Sequence, residues 1–536
     1  MVQSNAHCFR ARLVSGVAYV LALLMKSSLR RLAFLLLVAS AVARADVSLA
    51  PLFTDHAVLQ RDKPIPVWGR ADTGENISVT FGKQTKSTVA GPDGRWSVSL
   101  DKLPADSKGA DLTVAGKNSV VLHDVVVGEV WLCSGQSNME FTVSRARDAA
   151  KEIAAANFPL IRHLKVKNTV ASDPVSTVST SGWVAASPAT AGTFTAVGYF
   201  FARDIFERLK IPVGLVHSSW GGTPIESWMS PTTFDRNPAF DFINERWEKN
   251  LADYPQKKAD YDGITLPEWT EADATAKKEG EVAHAAWLKT HPKPRAPRGR
   301  GDSWTPGGLF NGMINPLIPY ALRGALWYQG ESNAVHADEY QKLFATMIRD
   351  WRKQFGQGDF PFLWVNLANY DVPTDETHQT YAFLREAQTQ TLDVPNTGQA
   401  ITIDLGNPDD IHPTNKQDVG HRLALLAKNR IYGISGEDSG PTFANITRAG
   451  TLLVVTFGHA GGGLIAHDKP LQAVEIAGAD KVFHPAFVKL ARTAIFVTSP
   501  EVKEPVAVRY AWKNAPDANL FNGAGLPAVP FRTDNW

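Results

Sequence analysis

Between residues 128 and 435 the chain alternates short apolar runs of strand length with longer amphipathic runs of helix length, and that rhythm admits few folds. A strand covered on both faces reads as a continuous apolar run, whereas the helix that covers it repeats with a 3.6-residue period. Strands are expected at residues 130–133, 160–166, 213–217, 324–328, 362–366 and 400–404, with helices at 197–209, 338–355, 379–392 and 416–429. Successive units of this kind form right-handed βαβ crossovers. The result is an α/β fold: a parallel sheet with helices on both faces, whose ligands sit at the carboxyl ends of the strands.

The flanks read differently. Residues 46–127 carry short β-type runs broken by turns such as Gly91-Pro92-Asp93-Gly94, which predicts a β-sandwich-like unit. Strand patterns return in residues 436–536, a second β-rich unit. Inside the α/β segment, residues 233–306 break the rhythm with a charged helical stretch that ends in the basic run Pro292 to Arg300. That run reads as a solvated insertion loop.

Of 536 residues, 55 are Lys or Arg and 54 are Asp or Glu. The first 45 residues hold six of the basic residues and no acidic one, so the rest carries 49 basic against 54 acidic residues, a balance of −5. No basic excess of the kind that binds nucleic acid is present. Lys26 to Arg31, the apolar run Leu32 to Val42 and Ala43-Arg44-Ala45 have the layout of a secretory leader cleaved after Ala45, and a leader of standard length would begin at Met25, downstream of residues 1–24. The apolar run is about half of the ~20 residues a membrane span needs, so a periplasmic or extracellular protein without an anchor is expected. Cys8 falls in the leader and Cys133 alone follows it, so the exported chain forms no internal disulfide and lacks the Cys/His spacing of a zinc site.

Four segments at expected strand ends carry the chemistry. The first reads Ser134-Gly135-Gln136-Ser137-Asn138-Met139-Glu140; a serine between a buried strand and a helix start presents its hydroxyl beside free helix amides. The second is Asn407-Pro408-Asp409-Asp410-Ile411-His412, where an Asp close to the His can hold one imidazole nitrogen and leave the other to take a proton from serine. Asp409 has the three-residue spacing and Asp410 is its rival. The third, Trp220-Gly221-Gly222-Thr223, offers backbone N–H groups to a developing oxyanion, and the fourth, Gln329-Gly330-Glu331-Ser332-Asn333, offers side-chain amides. Taken singly, each has a plain structural explanation as a helix cap or turn. Together they supply the parts of an acyl-transfer site.

These motifs resemble those of the SGNH (GDSL-type) hydrolase superfamily and, more closely, its sialate O-acetylesterase-like family. The resemblance extends over most of the chain, from Leu52-Phe53-Thr54-Asp55-His56 to Phe531-Arg532-Thr533. It implies a flavodoxin-like sheet, Ser137 as nucleophile, His412 as base, Asp409 or Asp410 as its orienter, and an oxyanion hole that includes Gly221 or Gly222. The chain departs from the superfamily in its third motif, where Gln329-Gly330-Glu331 replaces Gly-x-Asn-Asp; Gln329 is the expected substitute donor and Asn333 the alternative. Gln136, Asn138, Glu226, Trp228, Glu331, Asn333 and Arg385 are expected to contact substrate, an acetylated carbohydrate, with Arg385 or Arg323 available to a sugar carboxylate. Trp220, Trp304 and Trp327 lie near the same segments. No metal or organic cofactor is expected. The competing expectation, a carbohydrate-binding protein without catalysis, conflicts with the joint presence of Ser137, His412 and an adjacent Asp.

Overall fold

The computed structural model describes residues 46–536 apart from Arg236 and Asp468; the expected leader lies outside them. The centre is a sheet built from β1 (Ser119–Gly135), β2 (Phe158–Val166), β3 (Thr180–Ala186), β4 (Val213–Ser219), β5 (Gly324–Tyr328), β6 (Phe362–Val365) and β7 (Thr397–Ala400). Their spatial order is β3-β2-β4-β1-β5-β6-β7, and every pairing but the β2–β3 hairpin is parallel. Counted without that hairpin, the strands follow the flavodoxin-like order 2-1-3-4-5, and the switch point lies between β1 and β5. β4 and β5 are buried at every position, which is why they read as unbroken apolar runs.

The helices that matter for the site are α1 (Ser137–Glu140), α2 (Ala196–Leu209), α3 (Asp241–Asp260), α4 (Ala337–Phe355), α5 (Thr380–Gln390) and α6 (Lys416–Arg430). α2 and α6 pack on one another, as do α4 and α5. Gly135 ends β1 at φ +128°, and a Cβ there would stand 2.2 Å from Tyr328 O. Only glycine lets the strand turn into α1 this close to β5.

β1 runs for 17 residues. Its first half pairs antiparallel with Asp106–Ala115 of the N-terminal strands and its second half is the central strand of the parallel sheet. Residue 127, where the sequence reading ends its first unit, is therefore inside one strand, and the N-terminal strands share one hydrophobic core with the α/β segment. A second core gathers the C-terminal strands. It also takes Ile401 and Ile403, so the strand expected at 400–404 instead ends at Ala400. Residues 241–290 fold as three helical stretches with a π-helical turn at Tyr261–Thr265. Among the described residues no helix is long and apolar enough to cross a membrane, and no group of three or more His, Cys, Asp or Glu is placed to hold a metal ion.

Candidate active site

Ser137 is the first residue of α1, set down where β1 leaves the sheet, and its backbone N–H is one of the amides a helix start leaves without an internal partner. Gln136 N–H donates to Tyr328 O at 2.9 Å and Trp220 N–H to Gly135 O at 3.1 Å, so the ends of β1, β4 and β5 converge on this turn. His412 arrives from the loop before α6 and places Nε2 2.8 Å from Ser137 Oγ. Its ring stacks beside Phe141.

The residue behind the imidazole is Asp410. Its Oδ1 accepts the His412 backbone N–H at 2.9 Å and lies 3.8 Å from His412 Nδ1. Asp409 is exposed, and its backbone N–H is turned to Asn407 Oδ1; among the described residues its side chain makes no hydrogen bond or ion pair with His412. Burial holds the His412 pKa below the ordinary imidazole value, Asp410 opposes that shift, and the charges of Lys416 and Arg145 add to it. The imidazole is thereby kept neutral and able to accept a proton.

The expected oxyanion donors are placed differently from one another. A Cβ on Gly221 would stand 3.2 Å from Ser137 Cβ, so this amide is beside the serine. Its N–H, however, donates to Glu140 Oε2 at 2.8 Å. Gly222 adopts φ +71° and faces open space. Gln329 is fully buried: its Nε2 donates to Thr223 O and Asn333 Oδ1, and its Oε1 accepts from the Tyr340 hydroxyl. Both amide hydrogens are engaged, so Gln329 does not supply the missing donor.

Most of the expected substrate contacts are in fact internal. Asn138 Nδ2 donates to Glu331 Oε1 and to Ile411 O, and Asn138 Oδ1 accepts from Lys416 Nζ. Gln136 Oε1 accepts the Gly330 and Ser332 amides. Asn333 is buried, donating to Glu226 Oε2 and accepting from Ile225 N–H. Trp228 and Trp327 pack edge to face in the core. The Arg385 guanidinium is 1% exposed and donates to the carbonyls of Leu367, Ala368, Lys513 and Asn514. Arg323 pairs with buried Glu129 and its backbone N–H bonds Val130 O, at the amino end of the sheet. Neither arginine reaches Ser137.

Of the groups that border the site, Glu226, Asn333 and Trp304 were singled out in the sequence, whereas Arg246, Trp247, Arg298 and His336 were not. A cavity of about 310 Å³ lies between the helical insertion and the sheet, lined by Glu226, Arg246, Trp247, Arg298, Trp304 and His336 among others. Trp304 Nε1–H donates to Gly222 O at 2.6 Å, which sets the cavity next to the glycine pair and Ser137. Arg246, from α3, pairs with Glu226 and Glu339; Arg298 lies over the Trp304 ring and within 3.6 Å of Asp302. Arg145 is exposed, rests on the face of Phe141, and makes no ion pair among the described residues.

The family model described as carbohydrate esterase, sialic acid-specific acetylesterase matches residues 127–259 and 302–428, and the gap falls in the helical insertion. The sialate O-acetylesterase of Rattus norvegicus is 30% identical, with 93% of this chain and 96% of that protein covered; the Homo sapiens sialate O-acetylesterase is 29% identical over 72% of this chain and 71% of its own. The crystal structure of a carbohydrate acetylesterase from Xanthomonas citri superposes with a TM-score of 0.77 at 38% identity, covering 91% of this chain and 100% of that one. An α/β sheet with these relatives defines a carbohydrate esterase, a carboxylic ester hydrolase. More particularly, the chain belongs to the sialate O-acetylesterase-like, sialic acid-specific acetylesterase family.

Proposed function

We propose that the protein is an exported serine esterase that removes O-acetyl groups from sugars through an acetyl-serine intermediate. The observation that carries this reading is the 2.8 Å contact between His412 Nε2 and Ser137 Oγ at the carboxyl ends of β1 and β5. Ser137 Oγ attacks the acetyl carbonyl carbon as its proton passes to His412 Nε2. The carbonyl oxygen becomes an oxyanion facing the Ser137 N–H and, once Glu140 is displaced, the Gly221 N–H. Collapse breaks the ester bond, and the sugar oxygen leaves with the proton held by His412. Water, activated by the same imidazole, then releases acetate. Asp410 orients the ring and offsets its positive charge. Export rests on the leader pattern of residues 1–45.

Acetylated sialic acid is the first substrate reading. Family membership supports it, and so does Arg145, a guanidinium without an ion pair among the described residues, on the His412 side of the site, that suits a sugar carboxylate. The second reading is a neutral acetylated plant polysaccharide, xylan or xyloglucan. It is favoured by the cavity beside Gly222, whose two arginines already face carboxylates and whose Trp304 and Trp247 offer rings to a sugar face. Acetate release from O-acetylated N-acetylneuraminic acid and from acetylated xylan and xyloglucan, measured side by side, decides between them. A preference for the acidic sugar that is lost in Arg145→Gln supports the first reading; equal or greater release from the neutral polymers, unaffected by that change, supports the second.

A further inference from the structure

Lys416 opens α6 four residues after His412, and its side chain is fully buried. A lysine at a helix start is opposed by the helix dipole, and a buried ammonium is costly unless its hydrogens are taken up. Here Nζ donates to Asn138 Oδ1 at 2.6 Å and lies 4.9 Å and 5.2 Å from the ring centres of Phe141 and Tyr328.

Asn138 follows Ser137 directly and is also nearly inaccessible, at 1%. Its amide nitrogen donates to Glu331 Oε1 at 2.6 Å and to Ile411 O at 3.0 Å. One asparagine therefore joins three chain segments: the serine turn, the residue before His412 and the motif after β5. The other Glu331 oxygen is buried and, among the described residues, makes no hydrogen bond. Burial raises the Glu331 pKa and pushes that of Lys416 down to about 7, while each charge favours the other.

We propose that Lys416 is a positioning residue whose buried ammonium locks Asn138, and through it the Ser137 turn and the His412 loop, in the arrangement that brings imidazole to hydroxyl. This contact and the two acceptors on the opposite side fix the orientation of Asn138 together. With its oxygen facing an ammonium, its NH₂ must face Glu331 and Ile411, whereas a flipped amide would oppose acceptor to acceptor on that side. The ammonium also acts on His412 directly. The titratable and charged groups around it are Glu331 from the segment after β5, Asp410 and His412 from its own loop, Arg145 beside Phe141, and the Tyr328 hydroxyl from β5. Asp410 favours a protonated imidazole, Lys416 and Arg145 a neutral one; taking away Lys416 leaves Asp410 less opposed, so the His412 titration moves to higher pH.

This proposal rests on the Ser137–His412 reading, and its test separates the two. Lys416→Met and the double variant Lys416→Met/Glu331→Gln, which removes both buried charges, are assayed with para-nitrophenyl acetate, and the His412 ring is titrated by NMR, assigned by its loss in His412→Gln. Lys416→Met should lower kcat on the order of 10–10²-fold with KM within about twofold, the cost of a small misplacement of reacting groups. Its His412 titration should move to higher pH. The double variant should regain wild-type Tm without regaining kcat. A folded Lys416→Met protein with wild-type kcat and an unmoved His412 titration overturns the proposal, as does unfolding of both variants, which makes Lys416 a residue of folding alone. If the catalytic reading is what fails, Ser137→Ala keeps wild-type activity while the His412 titration still moves.

Discussion

The Gly221 N–H donates to Glu140 Oε2 at 2.8 Å, so the amide beside Ser137 already holds a carboxylate oxygen. Glu140 closes the four-residue helix that Ser137 opens, and its other oxygen is 3.7 Å from Lys165 Nζ, a second partner to which it can turn. In the proposed mechanism a substrate oxyanion takes its place. Glu140→Ala should therefore raise kcat/KM toward small acetyl esters by ~2–10-fold, the worth of one hydrogen bond. The exposed pair with Lys165 that is lost contributes little to stability. A fall in kcat/KM would mean that Glu140 instead holds Gly221 in position.

The two neighbouring aspartates should separate cleanly. Asp410 meets His412 in a hydrogen bond and an ion pair, and Asp409 in neither. Asp410→Asn is expected to lower kcat by roughly 10–10²-fold, less than the ~10⁴-fold seen where such a carboxylate is buried, because Asp410 is half exposed. Asp409→Asn should stay within about twofold of wild type on the same assay. The reverse order of effects would exchange their roles.

The pH profile follows from the burial of His412. A base acts when neutral, and its pKa here is lowered from the ordinary 6.5. The acid limb of kcat/KM should consequently fall below pH 6.5, and activity should be flat above it until other groups titrate. Asp410→Asn, which removes the group that raises this pKa, should move the limb lower still. A limb above 6.5 in the wild type would contradict the assignment of His412 as the base.

Arg385 makes a structural prediction. Its donors satisfy two carbonyls after β6 and two in the C-terminal segment, at Lys513 and Asn514, so one side chain ties the α/β segment to the C-terminal strands. Arg385→Met should cost about 3–4 kcal/mol by leaving buried carbonyls unpaired, measurable by urea unfolding. KM of the folded fraction should not change. A substrate contact would give the opposite pattern, a raised KM at unchanged stability.

The strands were legible because burial on both faces leaves unbroken apolar runs, as in Gly324–Tyr328, and each motif announced itself by following one. Residue roles were less legible, because a polar side chain beside a motif reads the same whether it faces a cleft or the interior. Gln329 and Arg385 are interior, and no spacing rule distinguishes them from contacts to a sugar. The choice between Asp409 and Asp410 turned on the path of a short loop. The continuity of β1 was hidden because its first half is covered on one face and alternates, while its second half is covered on both. Lys416 did leave a signal: a cation at the start of a helix, where the dipole disfavours it.

The central claim is that Ser137 attacks an acetyl ester with His412 as its base, and one comparison tests it most directly. Acetate release from an O-acetylated sugar is measured for wild type and Ser137→Ala, with Tm recorded for both and a fluorophosphonate probe applied in parallel. Wild type should release acetate and take up the probe. Ser137→Ala, at unchanged Tm, should lose at least ~10⁴-fold in kcat and remain unlabelled. A folded Ser137→Ala protein that releases acetate within tenfold of wild type, or that still takes up the probe, would contradict it.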